Sequence, residues 1–395
     1  MLFPNIKNKV LIGAALCLIA GPIAVFLTFS SDPADAQLAR LNSKYGLVAV
    51  ESLDDSPAPR VASLFVSDAL RADILDQTDT ARQELIVKLT DEESQPAADL
   101  QNVLILNLQT DEDIERVAEE YAASEVVQYA EPNFDLEAEL SPAVATDLPA
   151  ETAPSAEVVE PIVVAVLDSG VDLKHPDFTG RVLPGWDFLQ DSVQMVDNDG
   201  HGTHTTGIIL ANSTAAQVLP LKISDGSSGK IRELVEAIKY AVDRDAQVIN
   251  LSLGLKKESR TLREAIDYAQ KQGVIVVAAA GNYRSDTEYF PAAWPGVFAV
   301  SGLAKSGKKL FLSNFGEWVD FSVVAQDVHA PAPGGAYAFH TGTSQAAPVV
   351  SAKIADFLSA AESLDESALE DFLTENSEPI SGKYLLGRQV FSASE

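Results

Sequence analysis

Six consecutive apolar residues, Ile162-Val163-Val164-Ala165-Val166-Leu167, constrain this chain more than any other feature. A strand with one solvated face alternates apolar and polar side chains, whereas a strand without alternation is buried on both faces. Val274 to Ala280 repeats the pattern, and Val248 to Leu253 and Val297 to Val300 also read as strands. Between them lie segments of helical spacing, Ile231 to Val242 and Leu262 to Gln272. This alternation predicts an α/β domain, a mostly parallel sheet with helices on both faces. Such sheets bind ligands beyond the carboxyl ends of their strands, so chemistry is expected there.

Asp168 follows the first apolar strand directly, in Leu167-Asp168-Ser169-Gly170. His201 lies in Asp199-Gly200-His201-Gly202-Thr203-His204, ahead of a helical stretch from Thr205 to Ala211. Ser344 opens another helix in Gly342-Thr343-Ser344-Gln345-Ala346-Ala347-Pro348. Taken singly, an Asp after a strand is a turn residue and a Ser at a helix start is a cap. Together they supply a nucleophile, a base that takes its proton, and an acid that orients the base. Asn282, in Ala279-Ala280-Gly281-Asn282 at the end of an apolar strand, adds an amide that can donate to a developing oxyanion. The backbone N–H of Ser344 is the natural second donor.

These blocks resemble the subtilisin-like serine peptidases. Asp168-Ser169-Gly170-Val171, His201-Gly202-Thr203-His204 and Gly342 to Pro348 match the three catalytic blocks of that family in order. Asn250-Leu251-Ser252-Leu253-Gly254 and Ala280-Gly281-Asn282 match its substrate-strand and oxyanion blocks. The resemblance covers about residues 161–390. It implies catalytic Asp168, His201, Ser344 and Asn282. It also implies that Ser252, Leu253, Gly254, Ala280 and Gly281 bind an extended protein or peptide substrate. Three departures stand out. Gln345 replaces a methionine after the nucleophile, Thr205-Thr206 replaces Val-Ala, and the loop from Asn282 to Pro291 is shorter than usual at the floor of the S1 pocket.

Upstream the chain reads as separate pieces. Residues 37–135 show strands at Leu85 to Leu89, Val103 to Leu108 and Val126 to Ala130 and a helix from Asp111 to Ser124. That predicts a small α+β unit, and its closing Tyr129-Ala130-Glu131-Pro132-Asn133 resembles the family's inhibitory propeptide, an intramolecular partner of the enzyme. Residues 136–160, rich in Ala, Pro and Glu without periodicity, read as an exposed acidic linker before the peptidase domain at 161–395. Self-cleavage is expected within 134–160. At the N-terminus, Lys7 and Lys9 precede an uncharged run from Val10 to Phe29 and an Ala34-Asp35-Ala36 pattern. Residues 1–36 are therefore a secretory signal or a signal anchor, with residues 10–29 the possible membrane tether and the body of the protein outside the cytoplasm. The single cysteine, Cys17, allows no intramolecular disulfide.

The net charge of −30 disfavours nucleic acid as a partner. Residues 1–160 carry 20 of those charges and residues 161–360 only four, so acidity says little about substrate. An α/β-hydrolase reading fails because the order is Asp, His, Ser and Ala346 stands where G-x-S-x-G needs glycine. A zinc hydrolase reading fails because His201-x-x-His204 lacks the glutamate of H-E-x-x-H, and its glycines oppose a helix through the motif. No cofactor is required and no metal ligand is assigned. The family often binds structural Ca2+, but Asp197-Asn198-Asp199-Gly200 is an incomplete calcium loop, with Ile208 where a bidentate glutamate is needed. A non-catalytic relative kept as a binding protein would usually have lost a triad member, and none is missing.

Overall fold

A computed structural model describes residues 33–52, 82–90, 102–138, 144–146, 161–226, 229–361, 366–375, 378–379 and 389–391. The run from Val10 to Phe29 lies outside them. Among the described residues no helix is long and apolar enough to cross a membrane. The chain divides into two compact units, one ending at Asn133 and the other running from Phe134.

The first unit contains α1 (Pro33–Lys44), β1 (Leu47–Ser52), β2 (Arg82–Leu89), β3 (Val103–Gln109), α2 (Ile114–Ala122) and β4 (Val127–Pro132). The strands form an antiparallel sheet in the order β1-β3-β2-β4. Alternate sheet residues Leu85, Val87, Leu104 and Leu106 meet Leu41 and Tyr45 near the end of α1 and Val117 and Tyr121 of α2 in one apolar core. Asp113 caps α2 by accepting from the Arg116 N–H at 3.1 Å, so the helix starts three residues later than its acidic first turn suggests. Sequence reading missed α1 and β1.

The second unit contains β5 (Glu137–Ala138), β6 (Val144–Thr146), β7 (Ile162–Asp168), β8 (Trp186–Asp187), α3 (His201–Asn212) and β9 (Ala216–Lys222). Then follow α4 (Ile231–Asp243), β10 (Val248–Leu251), β11 (Leu253–Gly254), α5 (Arg260–Lys271), β12 (Ile275–Ala279), β13 (Val297–Leu303) and β14 (Phe321–Val324). It closes with β15 (Val328–Ala332), β16 (Ala336–His340), α6 (Thr343–Ala360), α7 (Glu366–Glu375), β17 (Glu378–Pro379) and β18 (Gln389–Phe391). The main sheet runs β17-β18-β14-β13-β12-β10-β7-β9-β8 and is parallel except for β17 against β18.

This is the α/β sheet expected from the apolar runs, and residue parity shows why they have no polar member. Val164, Val166, Val277 and Ala279 face α3 and α6, packing with Ile208, Ile209, Val350 and Ile354. Their neighbours Ala165, Leu167, Val276 and Ala278 are equally buried and face the other way. There α4 and α5 cover the sheet with the buried stripes Leu234, Ile238, Ala265 and Ile266. Each buried Val or Leu contributes roughly 1.5–3 kcal/mol relative to exposure.

Two expectations need correction. The linker is not exposed throughout, because Leu136 is buried and two short strands, β5 and β6, form inside 136–160. The strand expected over Val248 to Leu253 is broken at Ser252, and Leu253–Gly254 leaves the main sheet to pair elsewhere.

Candidate active site

The carboxyl ends of β7, β10 and β12, neighbours in the sheet, carry the residues singled out by sequence. Asp168 is the last residue of β7 and almost fully buried. Its carboxylate accepts from the His201 ring nitrogen Nδ1 at 2.8 and 2.9 Å and from the Ser169 N–H at 2.7 Å. A carboxylate can only accept, so the imidazole carries its proton on Nδ1 and turns Nε2 the other way.

His201 is the first residue of α3. The expectation that glycine keeps this motif out of a helix is wrong, since α3 starts at His201 and runs through Gly202 and His204. Gly200 caps it with a left-handed φ of 95°. At Gly202 a side chain would collide with the Gly170 carbonyl oxygen and lie 3.2 Å from Asp168 Cβ. The glycine that weakens the helix is thus what lets α3 approach β7 closely enough for His201 to reach Asp168.

Ser344 lies in the first turn of α6, which packs against α3. Its Oγ donates to the Ser252 carbonyl at 3.2 Å, and Ser252 Oγ donates back to the Ser344 carbonyl at 3.0 Å. Behind this pair, Asn250 Nδ2 donates to Ser252 Oγ at 3.1 Å, and Ser351 Oγ, two turns along α6, donates to Asn250 Oδ1 at 2.9 Å. A line of side-chain bonds therefore anchors the first turn of α6 to the end of β10.

Asn282 follows β12. Its Oδ1 accepts from the Thr343 N–H at 3.0 Å, which sends Nδ2 to the opposite side of the amide. Gly281, with φ of 97°, donates its N–H to Thr343 Oγ1 at 3.1 Å. Ala280 is held through its carbonyl by Asn314 Nδ2 at 2.8 Å, while Asn314 Oδ1 accepts from the N–H groups of Tyr283 and Ser285. Sequence reading missed Asn314, Thr343 as an anchor, and Ser351. Asn314 sits in an irregular stretch with no local signal, whereas Thr343, next to the candidate Ser344, could have been suspected.

Leu253 and Gly254 form an edge that already holds a strand. Residues Glu137 and Ala138 pair with them antiparallel, Ala138 opposite Leu253 and Glu137 opposite Gly254. Just before, Leu136 donates its N–H to Gly229 O at 2.7 Å, and Ile231 donates to Phe134 O at 3.1 Å. Residues 134–138 thus run between two edges, one foreseen and one, Gly229 to Ile231, not.

Around this arrangement the charged and ionisable groups are tightly held. Lys222, opposite Asp168 in β9 and nearly inaccessible, donates from Nζ to the Ser169 carbonyl and to Ser224 O at 2.9 Å. His204, one turn along α3, has Nε2 within 3.2 Å of the Val328 and Ala338 carbonyls, and its ring meets that of His340 at 4.4 Å. Burial, then the neighbouring His340 and His201, pushes His204 down to about 3, and burial followed by His201 pushes His340 down to about 4. Both are neutral imidazoles at ordinary pH, so His204 is a structural residue.

Asp197 Oδ1 accepts from Ser169 Oγ and Gly200 N, and Oδ2 accepts from the Thr203 N–H and hydroxyl, so its oxygens are committed. Among the described residues no cluster of three or more His, Cys, Asp or Glu side chains could hold a metal ion.

Comparison with known proteins gives a consistent set of relatives. Residues 160–391 match the subtilase family. A thermophilic serine proteinase from Bacillus sp. (strain AK1) is 32% identical over 293 residues, covering 68% of this chain and 72% of that protein. Thermitase from Thermoactinomyces vulgaris is 36% identical over 198 residues, covering 47% of this chain and 71% of its own. Among solved structures, a cold-adapted subtilisin-like serine proteinase aligns with a TM-score of 0.56 at 25% identity, covering 60% of this chain and 90% of the other.

Proposed function

The chain belongs to the subtilase family of serine peptidases, and from that premise we propose that it is an endopeptidase using Asp168, His201 and Ser344, made as a self-processing precursor. The observation that carries this reading is the Asp168 to His201 bond at 2.8 Å at the carboxyl end of β7, with Ser344 bonded to the residue after the neighbouring β10 and Asn282 following β12.

His201 Nε2 takes the proton of Ser344 Oγ as that oxygen attacks a substrate carbonyl. Asp168 keeps the imidazole in the required tautomer and stabilises the imidazolium that forms. Asn282 Nδ2 and the Ser344 N–H hold the oxyanion. His201 then gives the proton to the departing amine, and water, activated by the same imidazole, hydrolyses the acyl-enzyme. The substrate lies as a strand on Leu253–Gly254, with Gly229 to Ile231 as its second edge.

Self-processing is supported by the chain's own residues 134–138, which occupy that strand position. The N-terminal unit is read as a propeptide that keeps the site filled until cut, and the segment before it as an export signal or anchor that delivers the peptidase outside the cytoplasm.

A serine-directed phosphonate tests the enzyme reading, and a gel of the expressed protein tests processing. Wild type is expected to label and to lose its N-terminal unit, while Ser344→Ala does neither. Equal processing of the two forms would refute self-maturation, and absence of labelling in processed wild type would refute the peptidase assignment.

A further inference from the structure

Two backbone segments bonded to the Ser344 turn share one aromatic neighbour. The segments Ser252 to Gly254 and Ala280 to Asn282 extend from β10 and β12, adjacent parallel strands, and both are tied to the first turn of α6. Each contains a glycine, and the ring of Tyr289 lies against both. A methyl group on Gly254 would collide with Cε1 of that ring and lie 2.6 Å from the Phe290 carbonyl oxygen. On Gly281 it would lie 2.9 Å from the ring's Cδ1 and 3.1 Å from its Cγ.

The ring is not a movable lid. Tyr289 is 1% exposed. The backbone of the next residue is locked to the substrate-side edge, Leu255 N–H to Phe290 O at 2.7 Å and Phe290 N–H to Leu255 O at 2.9 Å. The Tyr283 ring packs against it at a centroid distance of 5.6 Å. Only eight residues, 283–290, separate Asn282 from Pro291, and this short loop brings Tyr289 back between the two segments.

A substrate strand on Leu253–Gly254, with its scissile carbonyl at Ser344 and the carbonyl oxygen toward Asn282, directs the side chain on the acyl side of the bond between these segments. We propose that Tyr289 is a specificity-determining residue which closes that pocket, so that the enzyme cleaves after Gly, Ala or Ser and rejects large side chains. The inference rests on the assignment of Ser344 as nucleophile. Its physical basis is close packing: an interior position holding one buried ring does not admit a second without displacing backbone.

The test uses the self-processed wild-type enzyme and succinyl-Ala-Ala-Pro-X-p-nitroanilides with X as Ala, Leu or Phe. Wild type is expected to favour Ala over Phe in kcat/KM by at least about tenfold. Tyr289→Gly is expected to reverse the order by raising the Phe substrate, and Tyr289→Phe to keep the wild-type preference because the ring fills the space. A wild type that prefers Phe or Leu overturns the proposal by itself, even if the glycine variant fails to fold. An unchanged Ala to Phe ratio in folded Tyr289→Gly overturns it too. Phosphonate labelling at Ser344 separates the two readings: labelled enzyme with the wrong preference defeats only the pocket assignment, while no labelling and no hydrolysis defeats both.

Discussion

Thr343 donates its backbone N–H to Asn282 Oδ1 at 3.0 Å, so the residue before Ser344 sets the direction of the Asn282 amide. The segment after β12 and the first turn of α6 are thereby coupled through this amide, alongside the Gly281 to Thr343 Oγ1 bond, and the Nδ2 end of the amide is a donor.

Asn282→Ala removes that donor. The expected result is a loss of roughly 100- to 1,000-fold in kcat with KM little changed, since the bond forms in the transition state. Steady-state kinetics on a fixed peptide substrate measure it, and a loss below about threefold would mean that Nδ2 does not reach the oxyanion.

Asp168→Asn keeps the shape of the site but offers His201 an amide in place of a carboxylate. The imidazole then loses its fixed tautomer and the charge that stabilises its cation, and kcat is expected to fall by about 10,000-fold. Near-normal kcat in a correctly folded variant would exclude Asp168 as the orienting acid.

Gly202→Ala tests the close approach of α3 to β7. The new methyl would collide with the Gly170 carbonyl, so either helix or loop must shift. A loss of about 1–3 kcal/mol in stability is expected together with a large fall in kcat, because His201 is carried on the same turn. Thermal unfolding unchanged from wild type would show that the contact yields easily.

Gln345 buries both polar side-chain atoms with no protein partner among the described residues. Gln345→Met removes an unsatisfied amide, so the fold is expected to gain about 1–3 kcal/mol in urea unfolding. The same change places a thioether beside the nucleophile, and hydrogen peroxide should then inactivate the variant faster than wild type by oxidising it to the sulfoxide. Lower stability in the variant would imply that the amide has an internal water partner.

The histidine pair predicts acid sensitivity. Burial holds His204 at about 3 and His340 at about 4, both below the free imidazole value. Between about pH 6.5 and those values the unfolded chain binds more protons, so stability is complete above that range and falls as pH drops. In a Ser344→Ala background, which prevents autolysis, His340→Phe should keep the ring contact and remove one contribution. Urea unfolding at about pH 7.5 and about pH 4.5 should show a smaller loss for that variant than for its parent. Equal losses would reject the assignment.

The mostly parallel sheet and the identity of Asp168, His201, Ser344 and Asn282 as candidates were readable from the chain. Burial on two faces leaves a local signature, an apolar run without alternation, and a residue that breaks such a run at its end is visible in the same stretch. Tertiary structure alone decided the rest. The helix begins at His201 despite two glycines because Gly202 must come against the Gly170 carbonyl, a contact made by residues far apart in sequence. Glu137 and Ala138 become a strand in an acidic, aperiodic segment because Leu253 and Gly254 supply the hydrogen bonds. Asn314 braces the Asn282 loop from a stretch with no pattern at all. Local periodicity reports how a segment is buried; which partner buries it, and which hydrogen bonds it completes, is set only when distant segments meet.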